Sequence, residues 1–374
     1  MTIFTKVELT DRLAKARSAT EASGIDAVLI SPGADLHYLT GYDAKPLERL
    51  TCLVLRPGAE PLLVVPVLER AAAQASPAGD LGLELVSWHE TEDPYALVAA
   101  LLPPGTRRIA YDNHMWAEKL LAFRSALPGT EQELAGEILR ELRMRKSGNE
   151  IEALRRAGAA IDRVHARMAE WLRPGRTERE VGADIAEAIA AEGHATVDFV
   201  IVGSGPNGAS PHHDLSDRVI QPGDPVVVDI GGTTADGYCS DSTRTYVAGG
   251  EAPEEFAAYY EVLLRAQIAA CEHVRPGVTA ASVDAAARDV IAAAGYGERF
   301  IHRTGHGIGM QGHEDPYIVA GNERVLEPGM AFSIEPGIYV DGAHGARIED
   351  IVVVTDDGVE RLNLTPRELV VIDA

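Results

Sequence analysis

Four acidic residues, Asp229, Asp241, Glu335 and Glu349, stand in two matching settings near the end of the chain. Pro222-Gly223 leads through the apolar run Val226-Val227-Val228 to Asp229, and Pro328-Gly329 leads through Phe332-Ser333-Ile334 to Glu335. The acid stands six residues after the glycine each time. A second acid follows each one: Asp241 in Ser240-Asp241-Ser242-Thr243-Arg244-Thr245, and Glu349 in Arg347-Ile348-Glu349-Asp350. A carboxylate that closes an apolar strand is costly to desolvate without a partner, so four of them point to cations. Their formal charges neutralise two divalent ions, which in hydrolases sit ~3.5–4 Å apart around a shared water of lowered pKa. Turn residues separate the members of each pair: Gly231-Gly232 and Asp236-Gly237 in the first, Asp341-Gly342 in the second. A hairpin there brings the two acids onto adjacent strands. Asp236 and Asp341 then read as turn acids, and Asp350 as pointing away from Glu349.

Histidine supplies a neutral ligand. His306 lies between Gly305 and Gly307, where the backbone can approach a cofactor closely, and His313 follows seven residues on. A glycine-flanked histidine alone is more often a loop residue, but four convergent acids favour the ligand. Oxygen-rich ligation with one imidazole suits Mn²⁺, Co²⁺, Fe²⁺ or Zn²⁺. His212-His213 follows the strand Asp198–Val202 and a Gly-Ser-Gly-Pro-Asn-Gly loop. Adjacent histidines on extended backbone cannot both face one site. This pair is either a surface loop or the source of one hydrogen bond to a bound carbonyl.

The elements that must hold these residues come in duplicate. Arg173-Pro174-Gly175-Arg176-Thr177 recurs as Arg275-Pro276-Gly277-Val278-Thr279 at an offset of 102 residues, which grows to 106 between Asp229 and Glu335. Each copy reads as a Thr N-cap, an Ala-rich amphipathic helix and a Gly stop, with capping-box spacing between Thr177 and Glu180. Helix followed by strand hairpin, repeated once, predicts an α+β domain with internal pseudo-symmetry. The N-terminal third alternates differently. A helix near 9–23, a strand at 26–30, a hairpin over 51–65, helices over 67–75 and 94–102 and a strand at 108–111 make it α/β. A long helical stretch from about Glu131 to Trp171 is expected to open the second domain. The charged segment Arg143–Glu150 is the seam, giving domains 1–145 and 146–374.

Composition excludes several classes. At 374 residues the chain has 46 % hydrophobic and 24 % charged residues, ordinary for a globular protein. The net charge of −23 argues against nucleic-acid or anionic-membrane partners. Cys52, Cys239 and Cys271 have no spacing for disulfides or thiolate metal sites. No apolar run approaches the ~20 residues of a membrane span. The start Met1–Lys6 lacks a signal-peptide apolar region, and a cytoplasmic protein is expected.

From about residue 150 onward the chain resembles the proline-specific metallopeptidases of the pita-bread fold, prolidase and aminopeptidase P. The resemblance rests on Asp-Ile-Gly…Gly-Tyr-Cys-Ser-Asp-Ser-Thr-Arg-Thr, Thr-Gly-His-Gly-Ile-Gly, His-Glu, Ser-Ile-Glu-Pro-Gly-Ile-Tyr and Arg-Ile-Glu-Asp. Tyr38-Leu39-Thr40-Gly41 links the N-terminal third to the smaller domain of the same proteins. The resemblance implies a catalytic domain with a curved antiparallel sheet. Its implied metal ligands are Asp229, Asp241, His306, Glu335 and Glu349, holding two divalent ions with Mn²⁺ foremost. It also implies substrate contacts from His212 and His313, a supporting role for Arg347, a short proline-containing peptide as substrate, and a homodimer.

On the same resemblance, a metal-bridged hydroxide attacks the Xaa-Pro carbonyl, Glu335 moves the proton, and the two histidines stabilise the oxyanion. One departure stands out. The segment from Asp229 to Asp241 is one residue longer than the usual family spacing. An extra residue within a strand would turn one acid to the opposite face, so the turn is expected to absorb it. Creatinase-like metal-free chemistry and a noncatalytic module are disfavoured by the complete ligand set. A different metal-dependent lyase or hydrolase on this scaffold is excluded less well. Between dipeptidase and aminopeptidase P, the short chain and modest N-terminal domain favour the dipeptidase. Arg303 and Arg324 are candidates to meet the free carboxylate that only a dipeptidase must bind.

Overall fold

The protein, seen in a computed structural model that describes residues 4–373, divides between Arg143 and Met144 into two compact units. In the first, strands β1 (Ala27–Ile30), β2 (Cys52–Leu55), β3 (Leu62–Pro66), β4 (Glu84–Trp88), β5 (Arg108–Tyr111) and β6 (Glu131–Leu134) form one sheet in the order β4-β3-β2-β1-β5-β6. The pairs β1–β2 and β2–β3 are antiparallel and the remainder parallel. The central strands are buried on both faces, so they read as continuous apolar runs rather than alternations. Leu29, Val54, Val64, Trp88, Ile109 and Phe123 belong to the core of this unit.

The long helix expected from Glu131 does not form. Glu131–Leu134 is an edge strand parallel to β5, a short helix Gly136–Met144 follows, and a separate helix Gly148–Ala166 begins after Ser147. The Glu-Gln-Glu-Leu segment has helical propensity, but pairing with Arg108–Tyr111 satisfies its backbone at the sheet edge. Ser147 then starts the next helix with a capping box to Glu150.

The second unit contains the repeat. Thr177 and Thr279 cap helices Glu178–Ala191 and Ala280–Ala293, and Thr177 forms the expected capping box with Glu180. Strands β7 (His194–Ser204), β8 (Asp224–Thr234), β9 (Cys239–Ala248) and β17 (Val370–Ile372) make a sheet in the order β17-β9-β8-β7. Strands β10 (Gly305–Gly307), β11 (Glu314–Ile318), β12 (Ala331–Ile334), β15 (Asp350–Val354) and β16 (Val359–Arg361) make the second, ordered β11-β10-β12-β15-β16. A ribbon of β13 (Gly337–Val340) and β14 (His344–Arg347) stands between β12 and β15 in sequence.

Each half buries its own helices against its own sheet. Val181, Ile185 and Ile189 share a core with Val202, Val226 and Val228. Val283 and Ile291 share another with Phe332, Ile334 and Val352. The α+β architecture with two related halves is the one the sequence predicts.

Candidate metal centre

Strand register puts the first two acids on one face. In the β8–β9 ladder Asp229 is opposite Thr243 and Gly231 is opposite Asp241. Residues opposite each other, and residues two apart, share a face, so Asp229 and Asp241 point the same way. The register of this hairpin runs unshifted from Asp224 opposite Ala248 to Thr233 opposite Cys239, and the turn Ala235–Tyr238, where Gly237 adopts φ 86°, closes it.

The second pair is held differently. Glu335 follows the last residue of β12, and its backbone N–H donates to the Thr304 carbonyl at 2.7 Å. Glu349 lies between β14 and β15 and donates its N–H to the Thr243 carbonyl at 3.1 Å. The Thr243 hydroxyl donates to the Glu349 carboxylate at 2.7 Å. Thr243 therefore ties the second half's acid to the first half's strand. Alternation from Asp241 would have revealed Thr243 as a neighbour of the site, and sequence reasoning passed over it.

His306 enters on the three-residue strand β10. A Cβ at Gly305 would lie 1.8 Å from the Ser333 carbonyl oxygen, so only glycine lets β10 come this close to β12. His306 Nε2 is 3.2 Å from Glu335 Oε1 and 3.6 Å from Asp241 Oδ2. Ligand atoms of Asp229, Asp241 and Glu349 lie within 4.8 Å of one another, as do those of His306, Glu335 and Glu349, and those of Asp241, His306 and His313. The first two groups overlap at Glu349.

Electrostatics identify what this cluster lacks. Burial, and then the neighbouring charges of Glu349 and Asp229, hold the Asp241 carboxyl well above its usual range. Burial followed by Glu335 and Asp229 does the same to Glu349. The Glu335 carboxyl is pushed up to about 7, chiefly by burial. Two buried oxygens, Asp229 Oδ1 and Glu349 Oε1, have no hydrogen-bond partner. His306 is neutral, its pKa driven down to about 3 by burial and then by His313. His306 Nδ1 lies 3.2 Å from the Gly307 carbonyl oxygen, which accepts its proton and leaves Nε2 as a lone pair aimed at carboxylates. Lone pairs, unpartnered oxygens and mutually repelling acids are what divalent cations satisfy, and this donor set fits them.

Arg347 is a permanent cation paired with one of the four acids, Asp229. Nη2 donates to Asp229 Oδ2 at 2.6 Å and Nη1 to the Tyr339 hydroxyl at 2.8 Å. Tyr339, which lies in the Ser-Ile-Glu-Pro-Gly-Ile-Tyr string, and its further partner His302, 2.9 Å away, were not singled out from the sequence. A cavity of about 1190 Å³ opens over the acids, and His212, His213, Arg303 and His313 line it while Arg324 does not. His213 Nε2 lies 2.8 Å from Glu178 Oε2, which leaves His212 as the more exposed of the pair. Asp350 is apart from the cluster, fully buried against Arg244, Gln267 and Arg361.

Comparison with known proteins agrees with this geometry. Residues 152–356 match metallopeptidase family M24 and residues 12–145 match the creatinase/prolidase N-terminal domain. The chain belongs to metallopeptidase family M24. A probable dipeptidase PepE of Mycobacterium tuberculosis is 58 % identical over 361 residues, 96 % of each chain. An Xaa-Pro dipeptidase of Lactobacillus delbrueckii subsp. lactis is 38 % identical over 372 residues, 96 % of this chain and 98 % of that one. The crystal structure of dipeptidase PepE from Mycobacterium ulcerans matches with a TM-score of 0.94 at 56 % identity, covering 99 % of this chain and 100 % of that one. The fold is the pita-bread fold, the protein is an enzyme, and the family implies divalent metal ions and a peptide substrate. Among the described residues, no helix is long and apolar enough to cross a membrane.

Proposed function

We propose that the protein is an Xaa-Pro dipeptidase whose two divalent metals, manganese foremost, are held by Asp229, Asp241, His306, Glu335 and Glu349. The observation that carries this reading is the pair of overlapping ligand groups, Asp229–Asp241–Glu349 and His306–Glu335–Glu349. Two groups sharing Glu349 would hold two divalent ions side by side. The oxygen-rich set with a single imidazole favours manganese over softer metals. When bound, the metals lower the pKa of a shared water and polarise the scissile carbonyl.

The chain's own residues do the rest. Glu335, the ligand with the most solvent access in its group, takes the proton of the attacking water and delivers it to the proline nitrogen. That nitrogen belongs to a tertiary amide and has no proton of its own. His313 and His212 donate hydrogen bonds to the carbonyl oxygen as negative charge develops on it. Arg347 orients Asp229 through its 2.6 Å contact and is itself held by Tyr339.

In the same reading, residues 1–145 are the N-terminal domain and 146–374 the catalytic domain. The protein acts in the cytoplasm as a homodimer. Light scattering that found only the 39.9 kDa mass would reject the dimer. The names of the two relatives and the crystallised neighbour support dipeptidase over aminopeptidase. The deciding experiment is a length series from Xaa-Pro through Xaa-Pro-Yaa-Zaa with the manganese-loaded enzyme. Turnover should be confined to the dipeptide, and equal cleavage of the tetrapeptide would make the enzyme an aminopeptidase.

A further inference from the structure

His306 and His313 pack ring against ring, their centroids 3.8 Å apart and their planes inclined at 37°, yet the proposed chemistry gives them opposite tasks. One must offer a lone pair to metal and the other a proton to substrate. The hydrogen bonds at their Nδ1 atoms are opposite in kind. Nδ1 of His306 faces a carbonyl oxygen, whereas Nδ1 of His313 lies 3.1 Å from Arg303 Nη2. A guanidinium has no acceptor and does not deprotonate in proteins. The His313 Nδ1 must therefore be the lone pair, and the single proton of the neutral ring is on Nε2.

Arg303 has a second contact on the same side of the site. Its guanidinium lies 4.4 Å from the Tyr317 ring centroid, and Tyr317 belongs to β11, the strand that starts immediately after His313. Strand β10, which carries His306, pairs with β11 between Gly307 and Glu314. His306 lies on one strand of this pair, Arg303 two residues before that strand and His313 immediately before the other.

We propose that Arg303 is a positioning residue that locks His313 in the Nε2–H tautomer, making it a donor to substrate and barring it from the metal. Nε2 then has no lone pair to offer a cation, and Nδ1 is capped by the guanidinium. Arg303 in this way separates the roles of two histidines in ring contact. The inference rests on the reading of His313 as substrate donor. It differs from the simpler possibility that Arg303 only meets a substrate carboxylate.

The test uses the zinc-loaded enzyme, which is diamagnetic, with ¹⁵N-labelled histidine rings. In the parent, His313 should show a protonated Nε2 and an unprotonated Nδ1. In Arg303→Met that preference should be lost, with kcat down about 10–100-fold, the range for groups that orient a catalytic neighbour, and metal content unchanged. Arg303→Lys keeps a donor and should recover the tautomer and most of the rate. Arg303→Met combined with His313→Ala should be no slower than His313→Ala alone.

An Nδ1–H tautomer in the parent would overturn the proposal, as would additive losses in the double variant. A rise in KM for dipeptides with kcat intact would overturn it in favour of carboxylate binding. If the tautomer is as stated but His313→Ala keeps the parent rate, the error lies in the role given to His313.

Discussion

The two halves of the repeat share a frame and diverge between their acids. Thr177 bridges Val219 in the first half, and Thr279 bridges Val325 in the second. Gly175 donates to the Ile220 carbonyl as Gly277 does to Leu326, and Glu178 donates to Arg218 as Ala280 does to Arg324. The sequence offsets of 102 and 106 residues are therefore repeated hydrogen bond for hydrogen bond. Between the acids, however, the first half runs one uninterrupted hairpin, while the second leaves its ladder at Glu335 and inserts the β13–β14 ribbon. Asp241 is locked in a ladder at 6 % side-chain exposure, whereas Glu335 stands outside one at 15 %. On the proposed reading, the first half would hold its two ligands rigidly in one ladder, a template for cations, and the second, beside its own ligands, would keep a carboxylate able to move a proton.

Substitution should break the halves in different ways. Asp241→Ala in the template leaves the other acids repelling one another, so metal and activity should be lost together, as read by elemental analysis and turnover. Unchanged metal in Asp241→Ala would end the assignment of that half as the template. Glu335→Gln keeps a ligand oxygen and should retain at least one equivalent of metal while turnover falls ~10²–10⁴-fold. If Glu335→Gln loses all metal, the two halves have the same job.

His313→Ala should keep its metal and fold and lose ~10²–10³-fold in kcat, the usual effect of removing one oxyanion donor. A variant that purifies without metal would instead make His313 a ligand, on the same footing as His306.

Chelation should expose the strain the cations relieve. In the stripped protein, Asp241, Glu335 and Glu349 have folded-state pKa values above their ordinary ones. The folded state then binds more protons than the unfolded chain from about pH 4.5 upward, so stability falls as pH rises towards 7. The shift of Glu335 alone, from 4.5 to about 7, corresponds to roughly 3 kcal/mol. Chemical denaturation should show the stripped enzyme weakening across that range and the loaded enzyme not doing so. Parallel curves would mean that metal does not neutralise these acids.

Much of this site was legible because its determinants are local. Pro-Gly turns, apolar runs and acids at fixed spacing set strand register, and register alone puts Asp229 and Asp241 on one face. The duplicated Thr caps likewise depend on neighbours three residues away. Tertiary partners were not legible. Nothing near Glu131 announces that β5 will recruit it as an edge strand. The Arg303–His313 bond crosses ten residues through a strand pair with a register shift, beyond what periodicity can specify. Glu178, in the first turn of its helix, is fully buried, and nothing in its local sequence says so.

That acid gives the finest comparison of the two halves. Glu178 accepts from the Ser204 N–H at 2.8 Å and hydroxyl at 2.7 Å, and also meets Asn207, His213 and Ser216. In the second half Asp284 accepts from the Thr304 N–H at 3.1 Å and hydroxyl at 2.8 Å, but its other partner is Arg288. Both anchors fasten a chain segment beside the cavity, one through neutral donors and a histidine, the other through a permanent cation. Glu178→Gln turns an –NH₂ towards groups that themselves donate, leaving buried donors unpaired at about 2–3 kcal/mol. Asp284→Asn can still accept from Thr304 and releases Arg288, whose side chain is 31 % exposed and can turn to solvent, so about 1 kcal/mol is expected. Hydrogen exchange at the Ser204 and Thr304 amides reads each anchor separately. Faster exchange at Ser204 in Glu178→Gln than at Thr304 in Asp284→Asn would show the neutral anchor to be the less tolerant, and equal rates would mean that the halves differ only between their acids.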